Sequence, residues 1–410
     1  MSGVNRRLIG PFKQALTLRG LPNAGPLKDD QLEVIPDAGV LVQGAIITEV
    51  GAWSALRGRA DELEYIDSPL TLTPGLVDAH THLCFAGSRA RDYADRLNGV
   101  SYQEIAARGG GIKDTMRATR SASEEELKSL NLERLKRHLR AGVTTVEVKS
   151  GYGLSVTQEL KQLRAIQAMS DATPQRLIST CLGAHVPPPE ASTPSHYLDE
   201  LLTELLPRVR AERLSDRVDA FIEPSAFPVE VARPYLARAQ ELGFKLTLHA
   251  DQFERGGAQL ASELGALSAD HLEASTHADL EALAQAEVTA VALPGASLGL
   301  GCGYTPARLA LDLGCSLAIA SDWNPGSAPM GDLLLQASVL GAAERLSGAE
   351  VWAALTFRAA NALGLRDVGQ LRGGFCADLI AFPTNDYREV LYQQGTLQPA
   401  RVWCQGEEVR

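Results

Sequence analysis

Between about residues 72 and 360, short and nearly continuous apolar runs alternate with longer stretches whose apolar positions recur every three to four residues. The short runs are 70–77, 144–148, 177–182, 218–222, 245–248, 266–269, 289–293 and 316–320. Runs that are apolar on both faces predict parallel strands covered on both sides, since a strand with one wet face would alternate. The longer stretches predict helices over 124–140, 156–169, 194–214, 229–242, 256–264, 278–286, 305–313 and 351–363. The first helix carries its own start and stop signals: Ser123 and Glu126 stand in capping-box spacing, and Gly142 follows the end. Eight such β-then-α units predict an α/β protein of the (β/α)8 TIM-barrel class. A doubly wound open sheet is the rival architecture, but nothing in it calls for a polar residue at nearly every strand end.

The two chain ends break the pattern. Residues 39–51 (G-V-L-V-Q-G-A-I-I-T-E-V-G) alternate with glycine turns and no helix, and 377–382 and 401–404 are again short strands between turns. Such ends predict one small β-sandwich assembled from 1–71 and 365–410, with the barrel occupying 72–364. Gly109, Gly110 and Gly111 form the nearest thing to a low-complexity segment and predict a mobile loop.

Barrels do their chemistry at the C-terminal ends of the strands. The polar residues that follow the apolar runs include Asp78, His80 and His82 after the first, Lys149 and Tyr152 after the second, and His185 after the third. Glu223 follows the fourth, His249 the fifth, Asp270 and His271 the sixth, and Ser321 and Asp322 the eighth. This placement lets as many as six of the eight histidines converge on one mouth. On a strand, residues i and i+2 share a side, so His80 and His82 can bind one ion. His249 and Asp322 then supply the remaining ligands. Imidazole nitrogen with carboxylate oxygen suits Zn²⁺ or a similar borderline cation, and an open position is left for water.

Composition narrows the function classes. The net charge of −11 disfavours nucleic acid and anionic membrane as general partners, though one local arginine can still draw in a small anion. Apolar stretches fall short of the ~18 residues of a membrane span, and residues 1–11 are basic without a following apolar segment. Six scattered cysteines without a C-x-x-C pair predict buried free thiols in a reducing compartment, hence a cytoplasmic location.

T-P-G-L-V-D-A-H-T-H (73–82) resembles the signature of the amidohydrolase superfamily, and the β-rich ends resemble its composite sandwich. The closer resemblance is to the imidazolonepropionase family. It is carried by H-T-H-L-C-F-A-G-S-R (80–89), G-G-G-I (109–112), K-S-G-Y-G-L (149–154) and G-A-H-V-P-P (183–188). H-A-D-Q (249–252), A-D-H-L (269–272) and S-D-W-N-P-G-S (321–327) complete the set, so the likeness runs from about residue 40 to the end.

The resemblance implies hydrolysis of the cyclic amide of 4-imidazolone-5-propanoate to N-formimidoyl-L-glutamate in histidine degradation, by metal-activated water. It implies one divalent or trivalent ion per subunit, zinc or iron, and a small-molecule substrate; a homodimer is expected. Asp322, His271 and His185 are the implied catalytic residues, with His185 at the carbonyl oxygen being polarised. Arg89 is implied at the propionate carboxylate, and Tyr152, Gln252, Asn324, Gly326 and Ser327 against the substrate. Deaminases of the superfamily carry a Glu where this chain has Gln252, and an amide cannot shuttle a proton at neutral pH. Glu223 is expected beside the site rather than bridging a second metal, and Lys149 is expected to be structural. Another cyclic-amide hydrolase, a heterocycle deaminase and a non-enzymatic scaffold on the same fold remain the alternatives.

Overall fold

The computed structural model describes residues 5–100, 104–105 and 108–410; the first four residues of the basic N-terminal stretch lie outside these. Eight parallel strands, Leu76–Asp78, Val143–Lys149, Arg176–Ala184, Arg217–Ile222, Lys245–Ala250, Ser268–His271, Thr289–Ala292 and Leu317–Ile319, pair in chain order. The first and last are only three residues long and do not reach each other within the strands. Closure comes just beyond them: Asp322 N–H donates to His80 O at 3.0 Å, His82 N–H to Trp323 O at 3.1 Å, and Thr81 bridges Trp323 in parallel. The seam of the barrel therefore runs through the residues read above as metal ligands.

A second sheet gathers both chain ends. Its long first strand, Arg6–Leu16, pairs along one edge with Val34–Gln43, and Ile46–Ala52 lies beyond that. Along the other edge it meets Glu62–Tyr65 and then Thr71–Pro74, which hands over to Leu379–Phe382, Arg401–Cys404 and Glu407–Glu408. Ile9, Phe12, Val40, Leu72, Leu379 and Trp403 fill its own apolar core.

Three expectations on element boundaries differ from the structure. The run 70–77 is two strands: Thr71–Pro74 belongs to the terminal sheet and Leu76–Asp78 to the barrel. Gly75 is the crossing point, where a Cβ would come within 2.2 Å of Thr144 Oγ1, so only glycine fits. The helix over 194–214 is Pro194–Glu200, a π turn at Leu201–Leu205 and Leu206–Ala211. Pro207 has no N–H for the carbonyl one turn back, which interrupts the ladder there. The helix over 351–363 breaks at Thr356 into Gly348–Leu355 and Phe357–Ala362.

Helices Ala90–Leu97, Ile112–Ser121 and Leu333–Ala343 go beyond the helices expected from sequence; the first two lie in the long excursion between the first strand and helix Glu124–Arg140. Among the described residues no helix is long and apolar enough to cross a membrane. Five of the six cysteines are buried free thiols, whereas Cys302 is exposed.

Candidate metal centre and active site

His80 and His82 leave the first strand, His249 lies in the fifth and Asp322 follows the eighth, and all four side chains are buried together. His82 Nε2 lies 3.2 Å from His80 Nε2 and 3.1 Å from His249 Nε2. Asp322 Oδ1 is 3.6 Å from His80 Nε2 and 3.4 Å from His82 Nε2. The far side of two of these rings is spoken for. His80 Nδ1 is 2.6 Å from Asp270 Oδ2, and His249 Nδ1 is 2.9 Å from Asp219 Oδ2. A carboxylate on Nδ1 puts the ring proton there and leaves the Nε2 lone pair facing the cluster.

Two nitrogen lone pairs and a carboxylate oxygen aimed at one point repel each other unless a cation sits among them. Ligands ~2.0–2.1 Å from an ion in tetrahedral array stand about 3.3–3.4 Å apart, the scale of the separations here. Burial drives the His80 and His82 rings well below the usual imidazole range and His249 down to about 4, so these rings are neutral, the form that ligates. Burial also pushes the Asp322 carboxyl up to about 6. The donor set fits a metal ion.

Beneath the cluster lies a buried charge network. Lys149 Nζ is 2.8 Å from Glu147 Oε1, 2.9 Å from Asp219 Oδ2 and 3.9 Å from Asp270 Oδ2. One ammonium thus faces both carboxylates that hold the histidine rings. Burial opposes the charge on Asp219, but His249 and Lys149 outweigh it and hold that carboxyl below the usual range.

His271 comes within 4.8 Å of His80 and His249 through its ring nitrogens. Its Nδ1 is 3.4 Å from Glu273 Oε1, which Ser297 Oγ also approaches at 3.2 Å. Burial would lower His271, but the Glu273 carboxylate raises it above the ordinary imidazole value. Its backbone at φ 87° is in the left-handed region, a conformation a non-glycine residue adopts only when its surroundings impose it.

His185 stacks on His82 with ring centroids 5.2 Å apart, and Tyr152 stands 5.5 Å from His185 and 6.0 Å from His82. His185 Nδ1 lies 2.9 Å from Gly151 O. A carbonyl oxygen only accepts, so Nδ1 carries the proton, and the neutral ring, lowered by burial to about 4, offers Nε2 as an acceptor. That geometry suits a ring N–H better than the carbonyl oxygen to which the resemblance assigned this histidine.

Arg89 Nε donates to Asp92 Oδ2 at 2.8 Å, and the guanidinium lies against Gly326, where a Cβ would come within 2.6 Å of Nη1. Asn324 is largely committed to its own loop. Its Oδ1 accepts from the N–H groups of Gly326 and Ser327 at 2.7 and 2.8 Å, and its Nδ2 donates to Asp322 O at 2.7 Å and Ser327 Oγ at 2.9 Å. Gln252 is half-buried two residues past the fifth strand. Glu223 Oε1 accepts from the N–H groups of Phe253 and Glu254 at 2.9 and 3.3 Å, and so braces the turn after the fifth strand.

Five histidines meet at the mouth rather than six. His138 sits on helix Glu124–Arg140 with Nε2 3.2 Å from Asp78 Oδ2, while His196 and His277 lie in the first turns of other helices. Sequence reasoning missed Asp219, Glu147, Asp92 and Glu273 as partners of site residues. The available signal for Asp219 and Glu147 was a single carboxylate inside a run with no other charge, V-D-A-F-I (218–222) and T-T-V-E-V (144–148).

The amidohydrolase family model matches residues 71–409. An imidazolonepropionase of Bdellovibrio bacteriovorus is 41% identical, covering 98% of this chain and 96% of that protein. One from Symbiobacterium thermophilum is 42% identical over 97% and 96%, and one from Erwinia tasmaniensis 46% over 82% and 84%. Among solved structures, a triazine hydrolase variant superposes with a TM-score of 0.72 at 17% identity, covering 99% of this chain and 94% of that one. A zinc-bound adenosine deaminase from Xanthomonas campestris gives 0.70 at 20% identity, covering 98% and 92%. These two similarities speak to the fold.

Proposed function

The chain belongs to the amidohydrolase family and, within it, to the imidazolonepropionases, and from that premise we propose how its residues divide the work. It is a metal-dependent hydrolase that opens the cyclic amide of 4-imidazolone-5-propanoate to N-formimidoyl-L-glutamate. The observation that carries the residue assignment is the convergence of three imidazole Nε2 atoms, 3.1 and 3.2 Å apart, with the Asp322 carboxylate.

His80, His82, His249 and Asp322 hold one ion, zinc or iron. When bound it supplies Lewis acidity, which makes water a nucleophile near neutral pH. Asp322 takes the proton from the attacking water and delivers it to the ring nitrogen as the amide C–N bond breaks. His271, held by Glu273, shares that proton transfer. The Arg89 guanidinium has its Nε committed to Asp92, which leaves the Nη1/Nη2 edge for the propionate carboxylate. Tyr152 contacts the substrate, His185 accepts from a ring N–H through Nε2, and Gln252 bonds the ring as an amide. Asn324 shapes the Asp322–Ser327 turn, Gly326 leaves room for the guanidinium, and Ser327 lines the same side.

The test is turnover of imidazolonepropionate by the metal-loaded chain, followed as loss of the ring and appearance of N-formimidoyl-L-glutamate. No ring opening, or release of ammonia instead, overturns the reading.

A further inference from the structure

The loop that carries Tyr152 is held almost wholly by side chains. All four of its N–H groups end on two residues of the next helix, Val156–Ser170. Gly151 donates to Glu159 Oε2 at 3.0 Å, while Gly153 and Leu154 donate to Oε1 at 2.8 and 2.7 Å. Tyr152 N–H donates to Gln162 Oε1 at 3.1 Å. Glu159 and Gln162 are three apart on one helix, hence on one face. The carbonyls of Gly153 and Leu154 accept from Arg120 Nε and Nη2 at 2.7 and 3.0 Å, and that of Gly151 faces His185 Nδ1.

Glu159 is fully buried, and its partners are backbone N–H groups and the Ser150 hydroxyl. Taking a carboxylate out of water is costly, and three bonds from the N–H groups of Gly151, Gly153 and Leu154 offset the cost only in one loop geometry. A glutamine would satisfy fewer donors, because its NH2 would face N–H groups. The arrangement therefore exchanges tolerance for rigidity at the point where two side chains meet the ligand cluster.

We infer that Glu159 is a positioning residue for the reaction, holding the 151–154 loop so that Tyr152 and, through the Gly151 carbonyl, His185 face the substrate. The inference rests on the imidazolonepropionase reading above and adds a residue that never touches substrate.

The test compares full-length, metal-loaded parent, Glu159→Gln, Tyr152→Phe and the double variant in imidazolonepropionate turnover. Glu159→Gln should keep its metal content and circular dichroism and lose about tenfold to a hundredfold in kcat/KM per metal-loaded chain. The losses should not multiply: Tyr152→Phe should cost less than a third as much in the Glu159→Gln background as in the parent. A residue acting only on stability would lower the melting temperature and leave kcat/KM of the folded chains and the Tyr152 effect unchanged. If Glu159→Gln does not fold, Glu159→Asp carries the same test, since it keeps the charge but withdraws it from the loop N–H groups. Parent-level kcat/KM in a folded variant, or fully multiplicative losses, overturns the inference while leaving the function intact. An inactive parent overturns both.

Discussion

Replacing Lys149 with methionine removes one ammonium and leaves three buried carboxylates to face each other. Lys149 is wholly enclosed, with Glu147 and Asp219 at 2.8 and 2.9 Å and Asp270 at 3.9 Å. Breaking a buried ion pair from one side costs about 3–5 kcal/mol, because the partner charge stays buried and uncompensated. At ~2.1 cal/mol/K per residue, the 410-residue chain has an unfolding entropy near 0.9 kcal/mol/K, so the melting temperature should fall by about 3–6 °C. The function should suffer too. Asp219 and Asp270 hold the Nδ1 sides of His249 and His80, and losing such outer partners typically weakens metal binding about 10–100-fold. The assay is paired: thermal unfolding of metal-stripped chains, and metal affinity by competition with a chelator. A Lys149→Met chain that melts and binds metal like the parent would refute the reasoning, since it would mean the carboxylates are neutralised by some other means.

Arg89→Met should lower kcat/KM for imidazolonepropionate by roughly two orders of magnitude with metal content unchanged, because bonds to a charged group are worth ~1.5–3 kcal/mol each. Arg89→Lys should recover only part, lacking the planar fork; parent-level kinetics in Arg89→Met would make it a bystander. Elemental analysis should find about one ion per chain, unchanged in Glu223→Gln and lost in Asp322→Ala; a second ion that disappears with Glu223 would contradict the bracing role. Burial alone would raise the Asp279 carboxyl, but Arg255 and Thr276 outweigh it and hold it below the usual range. A depressed folded pKa contributes stability above the unfolded value of ~3.9 that is lost as pH falls through the acid range. Urea midpoints of Asp279→Asn should therefore lie below the parent at pH 7, and the gap should start to narrow only below about pH 4 and keep narrowing towards pH 2; an equal gap at pH 7 and pH 2 would exclude the linkage.

The eight barrel strands, and which of their ends carry polar groups, were legible along the chain, whereas strand Arg6–Leu16 and helix Leu333–Ala343 were not. Strands buried on both faces read as apolar runs, and a residue such as His249 or Asp322 at the end of one stands out against them. H-x-H needs only strand periodicity to put His80 and His82 on one side. Helices Ala90–Leu97 and Ile112–Ser121 were missed because they are short and highly charged and lie in an excursion that interrupts the strand-then-helix alternation, although Ala90, Tyr93, Ala94 and Leu97 recur at helical spacing.

Partnership was decided by the tertiary structure alone. Asp219 reaches His249 because the fourth and fifth strands lie side by side, and Asp270 reaches His80 across the barrel interior, 190 positions away in sequence. Local pattern carries no information about which carboxylate meets which imidazole, since that depends on strand register and on closure between His80 and Asp322. The tautomer of His185 is likewise set by the Gly151 carbonyl, and that carbonyl is placed by Glu159 from the next helix. Residue types and spacing determine which chemical groups are present; the closed barrel determines which lone pairs face one another.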